Sequence, residues 1–147
     1  MNEIDLVKSE LKSIEDADFL HYREKYLDNF IFTGPVPKPL NRVEFIDLNR
    51  AILKAFPDWK FNATNFKQVR DHVTCNTRIS GTHTGVLELP MLGISAQPTN
   101  KRFASPEELL TITVENGKIT RVESANMPGG GLMGILAQVG VQVPKRA

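Results

Sequence analysis

The chain is poor in the residues that mark specialised protein classes. Cys75 is the only cysteine, so no internal disulfide can form and no Cys/His cluster exists. His21, His72 and His83 are the only histidines, and they lack the spacing of metal ligands. A formal net charge of +1 leaves no electrostatic footprint for nucleic acid or an anionic membrane. No apolar run approaches the length of a spanning helix, and the longest are broken by glycine or proline. The opening Met1-Asn2-Glu3-Ile4-Asp5 is polar and acidic, unlike a signal peptide, so a cytoplasmic protein is expected. No glycine-rich loop sits between a strand and a helix as phosphate binding requires, so no nucleotide, flavin or other cofactor is expected. Internal repeats and low-complexity segments are also absent.

What remains is ordinary globular material. With 147 residues, 41% hydrophobic and 24% charged, the chain is read as a single domain over 1–147. That length can bury a core and still leave a cavity. Ile4, Val7, Leu11 and Ile14 form one face of a helix from Asn2 to about Glu15. Three-to-four spacing of Phe19, Tyr22, Arg23 and Tyr26 predicts a second helix over Ala17 to Leu27. Asn29 to Thr33 is a short β-rich run, and Pro35, Pro37 and Pro39 then make an extended connector. Asn41, with Glu44 three residues on, opens a third helix with a capping box. Phe45, Leu48, Ile52 and Ala55 or Phe56 form its buried stripe, and Pro57 stops it.

From Trp59 the sequence turns β-rich. Strands are predicted near 59–69, 73–83, 101–105, 107–115 and 118–124, with Arg70-Asp71 turning the first pair. Asn116-Gly117 is a hairpin signal, because both positions tolerate positive φ. A short apolar segment, Leu132 to Val139, closes the chain as a helix. Three helices followed by antiparallel hairpins indicate the α+β class.

Several short segments then fall in a telling order. They are Ala55-Phe56-Pro57-Asp58-Trp59, Gly81-Thr82-His83-Thr84-Gly85, Gln97-Pro98-Thr99-Asn100-Lys101, Glu115-Asn116-Gly117-Lys118-Ile119 and Gln138-Val139-Gly140. Together, over about residues 16–141, they resemble the SnoaL-like polyketide cyclase (ester cyclase) family. The resemblance implies a nuclear transport factor 2-like fold, in which N-terminal helices pack on a cone of curved antiparallel sheet around a small-molecule pocket. It also implies a small apolar or carbonyl-containing ligand and a possible homodimer.

The family's chemistry is an intramolecular aldol closure, which needs a base beside a carbonyl and donors where enolate charge develops. The resemblance places an aspartate soon after the Gly-Lys-Ile hairpin as the usual acid/base. Here Ser124 to Leu132 reads Ser-Ala-Asn-Met-Pro-Gly-Gly-Gly-Leu and contains no carboxylate. A histidine is often present in the strand after the second helix, yet Leu27 to Pro39 contains none. Cyclase activity is therefore not expected to carry over unchanged.

The residues left to do chemistry are few. His83 stands in a family-like position and is the candidate catalytic base, neutral imidazole being suited to that near pH 7. A strand-end histidine bonded to backbone at a bulge marked by Gly81 and Gly85 is the other role open to it. Tyr26, Phe30, Phe32, Trp59 and Phe66 are candidate walls of an apolar pocket, Tyr26 and Trp59 first among them, although most aromatics at such spacings are core. Asn76 and Arg78 share one strand face and would bind a carbonyl or carboxylate only if that face is inward. Asn126 can donate to a carbonyl oxygen but cannot take a proton. Asp71 with His72 reads as solvated turn residues, and Asp58 as a corner. No metal is expected. Two further readings stand beside the cyclase type: a non-catalytic ligand-binding protein, and a hydrolase or isomerase with Glu123 or Glu88 as the inward carboxylate.

Overall fold

The computed structural model describes residues 2–20, 22–34, 36, 38–125 and 129–142. Helix α1, Glu3–Glu15, is capped by the Asn2 side chain, which accepts the Asp5 N–H at 2.8 Å. It buries Val7, Glu10, Leu11 and Ile14. Helix α3, Arg42–Ala55, carries the full capping box. The Asn41 Oδ1 accepts the Glu44 amide at 2.9 Å, and the Glu44 Oε1 accepts the Asn41 amide at 3.0 Å.

The region between these helices departs from its sequence pattern. Only Tyr22–Lys25 is helical (α2), and strand β1 runs from Tyr26 to Thr33. Ala17 sits at φ 56, which breaks the chain away from α1 before a second long helix can start. Tyr26 and Phe30, four apart, suit one helix face and equally one strand face. Pairing of Tyr26 with Ile119 and of Phe32 with Val122 decides for the strand.

A five-stranded sheet in the order β1-β9-β8-β3-β2 forms the body of the fold. Its members are β2 (Thr64–Val69), β3 (His72–Thr77), β8 (Glu108–Glu115) and β9 (Lys118–Ser124), with β1. The sheet is mixed, since β1 joins β9 in parallel while the other pairs are antiparallel. Register shifts in three of the four pairings add twist and curl the sheet. Asn116 and Gly117, at φ 52 and 75, make the tight β8–β9 turn.

The predicted long strand 73–83 divides. Beyond Thr77 the chain crosses to a separate ribbon, in which β4 (Ser80–Thr82) pairs with β7 (Arg102–Ala104). The segment after Gly85 folds as another hairpin, β5 (Leu87–Leu89) with β6 (Ile94–Ala96). Leu87, Leu89 and Ile94 are buried there, and β5 lies against α3. Helix α4, Gly131–Val139, closes the fold and buries Leu132, Ile135, Leu136 and Val139. The helices lie over the inner face of the sheet, and a cavity lies between them. Among the described residues no helix is long and apolar enough to cross a membrane.

Candidate functional site

Alternation along the strands decides what faces inward. On β3, Val73, Cys75 and Thr77 are buried, while His72, Thr74 and Asn76 lie on the other face. On β8 the inward set is Glu108, Leu110, Ile112 and Val114. The same period that buries three aliphatic side chains thus carries a glutamate into the interior. Glu108 is only 3% exposed.

Between helices and sheet lies a cavity of about 130 Å³. Its walls are apolar: Leu11 and Ile14 from α1, Phe45, Leu48 and Ile52 from α3, Ile112 and Val122 from the sheet, and Leu132 and Ile135 from α4. Four polar side chains interrupt this lining, Glu10, Asn49, Glu108 and Ser124. Asn49 is already engaged, its Nδ2 donating to the Phe45 carbonyl at 2.8 Å.

Glu10 occupies the cavity side of α1 because it lies three residues after Val7 and four before Ile14, within the buried stripe. The Tyr26 hydroxyl donates to its carboxyl group. Its Oε2 has no hydrogen-bond partner among the described residues, and the Lys25 ammonium stands 3.7 Å away. Lys25 instead donates to Ser13 Oγ at 3.0 Å. Burial raises the Glu10 pKa above the usual carboxyl value, and the Lys25 charge and Tyr26 hydroxyl pull the other way without cancelling it. Burial, then the Glu10 charge, likewise push the Tyr26 phenol well above 10.

Glu108 is held differently. Its Oε1 accepts the Gly131 amide at 3.2 Å. That amide is at the N-terminus of α4, where unpaired N–H groups and the helix dipole favour a negative partner. Gly131, at φ 67, presents its N–H from a left-handed conformation that a glycine adopts without strain.

Of the residues singled out in the sequence, Tyr26, Phe32 and Trp59 line the cavity. Trp59 is 5% exposed and its Nε1 has no partner among the described residues. Phe30 packs behind them against Phe45, ring centroids 5.1 Å apart, and Phe66 lies under the Lys8 ammonium. Asn76 and Arg78 are not brought to the cavity. Asn76 Oδ1 accepts from Asn65 at 3.0 Å, and Arg78 is exposed, pairing with Glu107 at 3.5 Å. Asn126 lies outside the described residues.

Nor does the structure bring His83 to the cavity. Its ring is fully buried and tilted against Phe56, 5.3 Å between centroids. Nδ1 accepts the Thr99 amide at 3.2 Å and lies 3.0 Å from the Thr99 hydroxyl. Burial lowers its pKa, with the Gly85 backbone opposing. This is an imidazole tying two loops together.

Glu88 is exposed, and Glu123 is half-exposed and paired with Arg121, so neither serves as an inward carboxylate. His72 Nδ1 stands 3.3 Å from Asp71 at the turn, and Asp58 accepts the Thr82 amide at 2.7 Å and its hydroxyl at 2.8 Å. Among the described residues no group of three or more His, Cys, Asp or Glu could hold a metal ion.

Sheet order, helix placement and internal cavity together define the nuclear transport factor 2-like class. Within it, the chain matches the SnoaL-like polyketide cyclase family over residues 10–126 and belongs to that family. No curated protein matches it. Among solved structures it is similar to IdmH, a candidate polyketide cyclase from Streptomyces antibioticus. That likeness has a TM-score of 0.70 and 20% identity, over 95% of this chain and 100% of that one. AclR, a candidate hydroxylase from Streptomyces galilaeus, gives 0.70 and 18%, over 92% and 93%. A protein with a ketosteroid isomerase-like fold from Catenulispora acidiphila, in complex with trimethylamine, gives 0.65 and 13%, over 94% of each. At such identities the likeness is one of fold.

Proposed function

We propose that this chain binds a small, mostly apolar carbonyl compound in its cavity and promotes a proton transfer on it, as an enzyme of the cyclase or isomerase type. One observation carries the reading: a cavity with hydrocarbon walls contains two buried carboxyl groups, from Glu10 and Glu108. Burying a carboxyl group costs several kcal/mol, and a cavity that served only to hold an apolar ligand would gain nothing from two. The size bounds the ligand. A cavity of about 150 Å³ in another protein takes benzene, so 130 Å³ suits a compound of about one six-membered ring. The unpartnered Nε1 of Trp59 is a donor left for an acceptor such as a carbonyl oxygen.

Trp59 is the single tryptophan and lines the cavity, so its fluorescence reports occupancy directly. Titration with cyclohexanone should change its emission saturably. Replacing Leu110 in the wall by Trp should abolish the response by filling the space. An unchanged emission and an unchanged melting temperature at millimolar cyclohexanone would refute the binding reading.

A further inference from the structure

The two glutamates of the cavity sit in opposite settings. We propose that Glu108, tied to the first amide of α4, removes a proton from the carbon beside the ligand's carbonyl, while Glu10, held by the Tyr26 hydroxyl, gives one to the carbonyl oxygen. The assignment rests on the carbonyl-binding reading above and deepens it.

Consider Glu108 first. The Gly131 N–H at 3.2 Å is a hydrogen bond that only an oxygen acting as acceptor can use, and it comes from the positive end of a helix. A carboxylate oxygen is the acceptor that such a helix end favours, and a carboxylate can act as a base. The group is brought in by strand alternation on β8, and its neighbours Leu110 and Ile112 keep water from the carbon it would attack.

Glu10 has the reverse surroundings. One carboxyl oxygen takes the Tyr26 hydroxyl, and Oε2 accepts no hydrogen bond among the described residues, its nearest charge being the Lys25 ammonium at 3.7 Å. A neutral carboxylic acid with its proton on Oε2 would leave no buried acceptor unpaired and would offer that proton to a ligand oxygen. Once the proton is given, the new charge meets the Tyr26 hydroxyl and the Lys25 ammonium 3.7 Å from Oε2. Burial thus favours the acid form, and its conjugate base is supported when formed. Pairs of titratable groups whose settings favour opposite protonation states are how one site runs acid and base chemistry together.

The step balances. Glu108 takes the α-proton, and the C–H electron pair forms the new carbon–carbon double bond. The carbonyl π pair moves to oxygen, which takes the Glu10 proton. The product is an enol, with Glu108 neutral and Glu10 charged. In isomerisation the enol returns its O–H proton to Glu10 while Glu108 delivers its proton to carbon. In ring closure the enol carbon attacks a second carbonyl of the same molecule, whose oxygen takes the Glu108 proton, while the enol O–H re-forms its carbonyl and returns its proton to Glu10. Both routes restore the two glutamates and need no oxidant, reductant or metal.

The test uses the full chain in D₂O with cyclohexanone, following exchange of the α-protons by proton NMR and occupancy by Trp59 fluorescence. The wild type should speed exchange over buffer. Glu108→Gln keeps the acceptor for Gly131 and should slow exchange by roughly 10²–10⁴-fold with binding within a few-fold. Glu10→Gln should slow it by a similar factor and also remove the fall in rate that the wild type shows as pH rises and Glu10 loses its proton. Should either variant fail to fold, ¹³C titration of the wild-type glutamate carboxyls decides, since Glu10 must retain its proton above the usual carboxyl range. Cyclohexanone bound without faster exchange, or exchange unchanged in both variants, overturns the assignment and leaves the binding reading standing. No binding to the wild type overturns both.

Discussion

Replacing Gly85 by alanine probes the junction on which the cavity's largest helix rests. A Cβ at Gly85 would lie 2.0 Å from the Lys54 carbonyl oxygen and 3.0 Å from its carbon. Ordinary carbon–oxygen contacts begin near 3.3 Å, so the crossing loop or the end of α3 must move by more than about 1 Å. Neither is free to do so. The Gly85 and Thr84 amides both donate to the Ala55 carbonyl, at 3.0 and 3.1 Å, and hold the loop on the helix terminus. Overpacking of this kind costs about 1–3 kcal/mol, and stretching two backbone hydrogen bonds adds about 1 kcal/mol more. A loss of about 2–4 kcal/mol follows, which for a chain of this size lowers Tm by roughly 5–15 °C. Chemical denaturation at constant pH measures it. Gly117→Ala is the control: its φ of 75 strains an alanine, but nothing lies within 4 Å of the added carbon. It should cost only about 1 kcal/mol. The reasoning fails if Gly85→Ala loses less than Gly117→Ala.

Three other outcomes are expected. Folded Glu10 holds its proton more tightly than unfolded Glu10, so the folded chain binds the extra proton between the usual carboxyl value of 4.5 and its raised value. Stability must therefore fall as pH rises through that window, and Glu10→Gln should flatten the slope in denaturation curves taken across it. Cys75, 1% exposed and pushed up to about 11, should resist iodoacetamide at pH 8 and react stoichiometrically once the chain is unfolded; prompt labelling of the native protein would contradict its placement. His83→Ala should lower stability by about 2–4 kcal/mol through lost packing, yet leave cyclohexanone affinity within a few-fold, whereas a loss of binding alone would put the ring in the site.

The parts of the fold that were legible are those where local chemistry and tertiary packing agree. Asn41 with Glu44 specifies a helix start wherever it occurs, and Asn116-Gly117 specifies a tight hairpin. The misread parts are those where the pattern fits two structures. Tyr26 and Phe30 are four apart, which is both one helical turn and an even strand step, and only the distant partner Ile119 chooses. The β5–β6 hairpin was hidden because its strands are three residues each, too short for a period to show. The aromatics Tyr26, Phe32 and Trp59 line the cavity. Both carboxyl groups were missed, though a signal existed for each. Glu10 falls at helical spacing among Val7, Leu11 and Ile14, and Glu108 alternates in step with Leu110 and Ile112. Charged residues on an apolar stripe are usually discounted; here the discounted ones are the two carboxyl groups of the cavity.

The parallel pairing of β1 with β9 bears on how the molecule comes into being. During synthesis β1 emerges well before β9, the strand that completes its hydrogen bonds. For most of that interval β1 is an unpaired edge carrying Tyr26, Phe30 and Phe32, the sort of segment that seeks any other strand. Closing so long a loop is entropically costly and slow. Glu10 and Tyr26 wait with it, since the walls that enclose them come from β8, β9 and α4. The cavity thus forms only after β9 and α4 are in place, and a nascent or truncated chain lacking β9 would be an aggregation hazard.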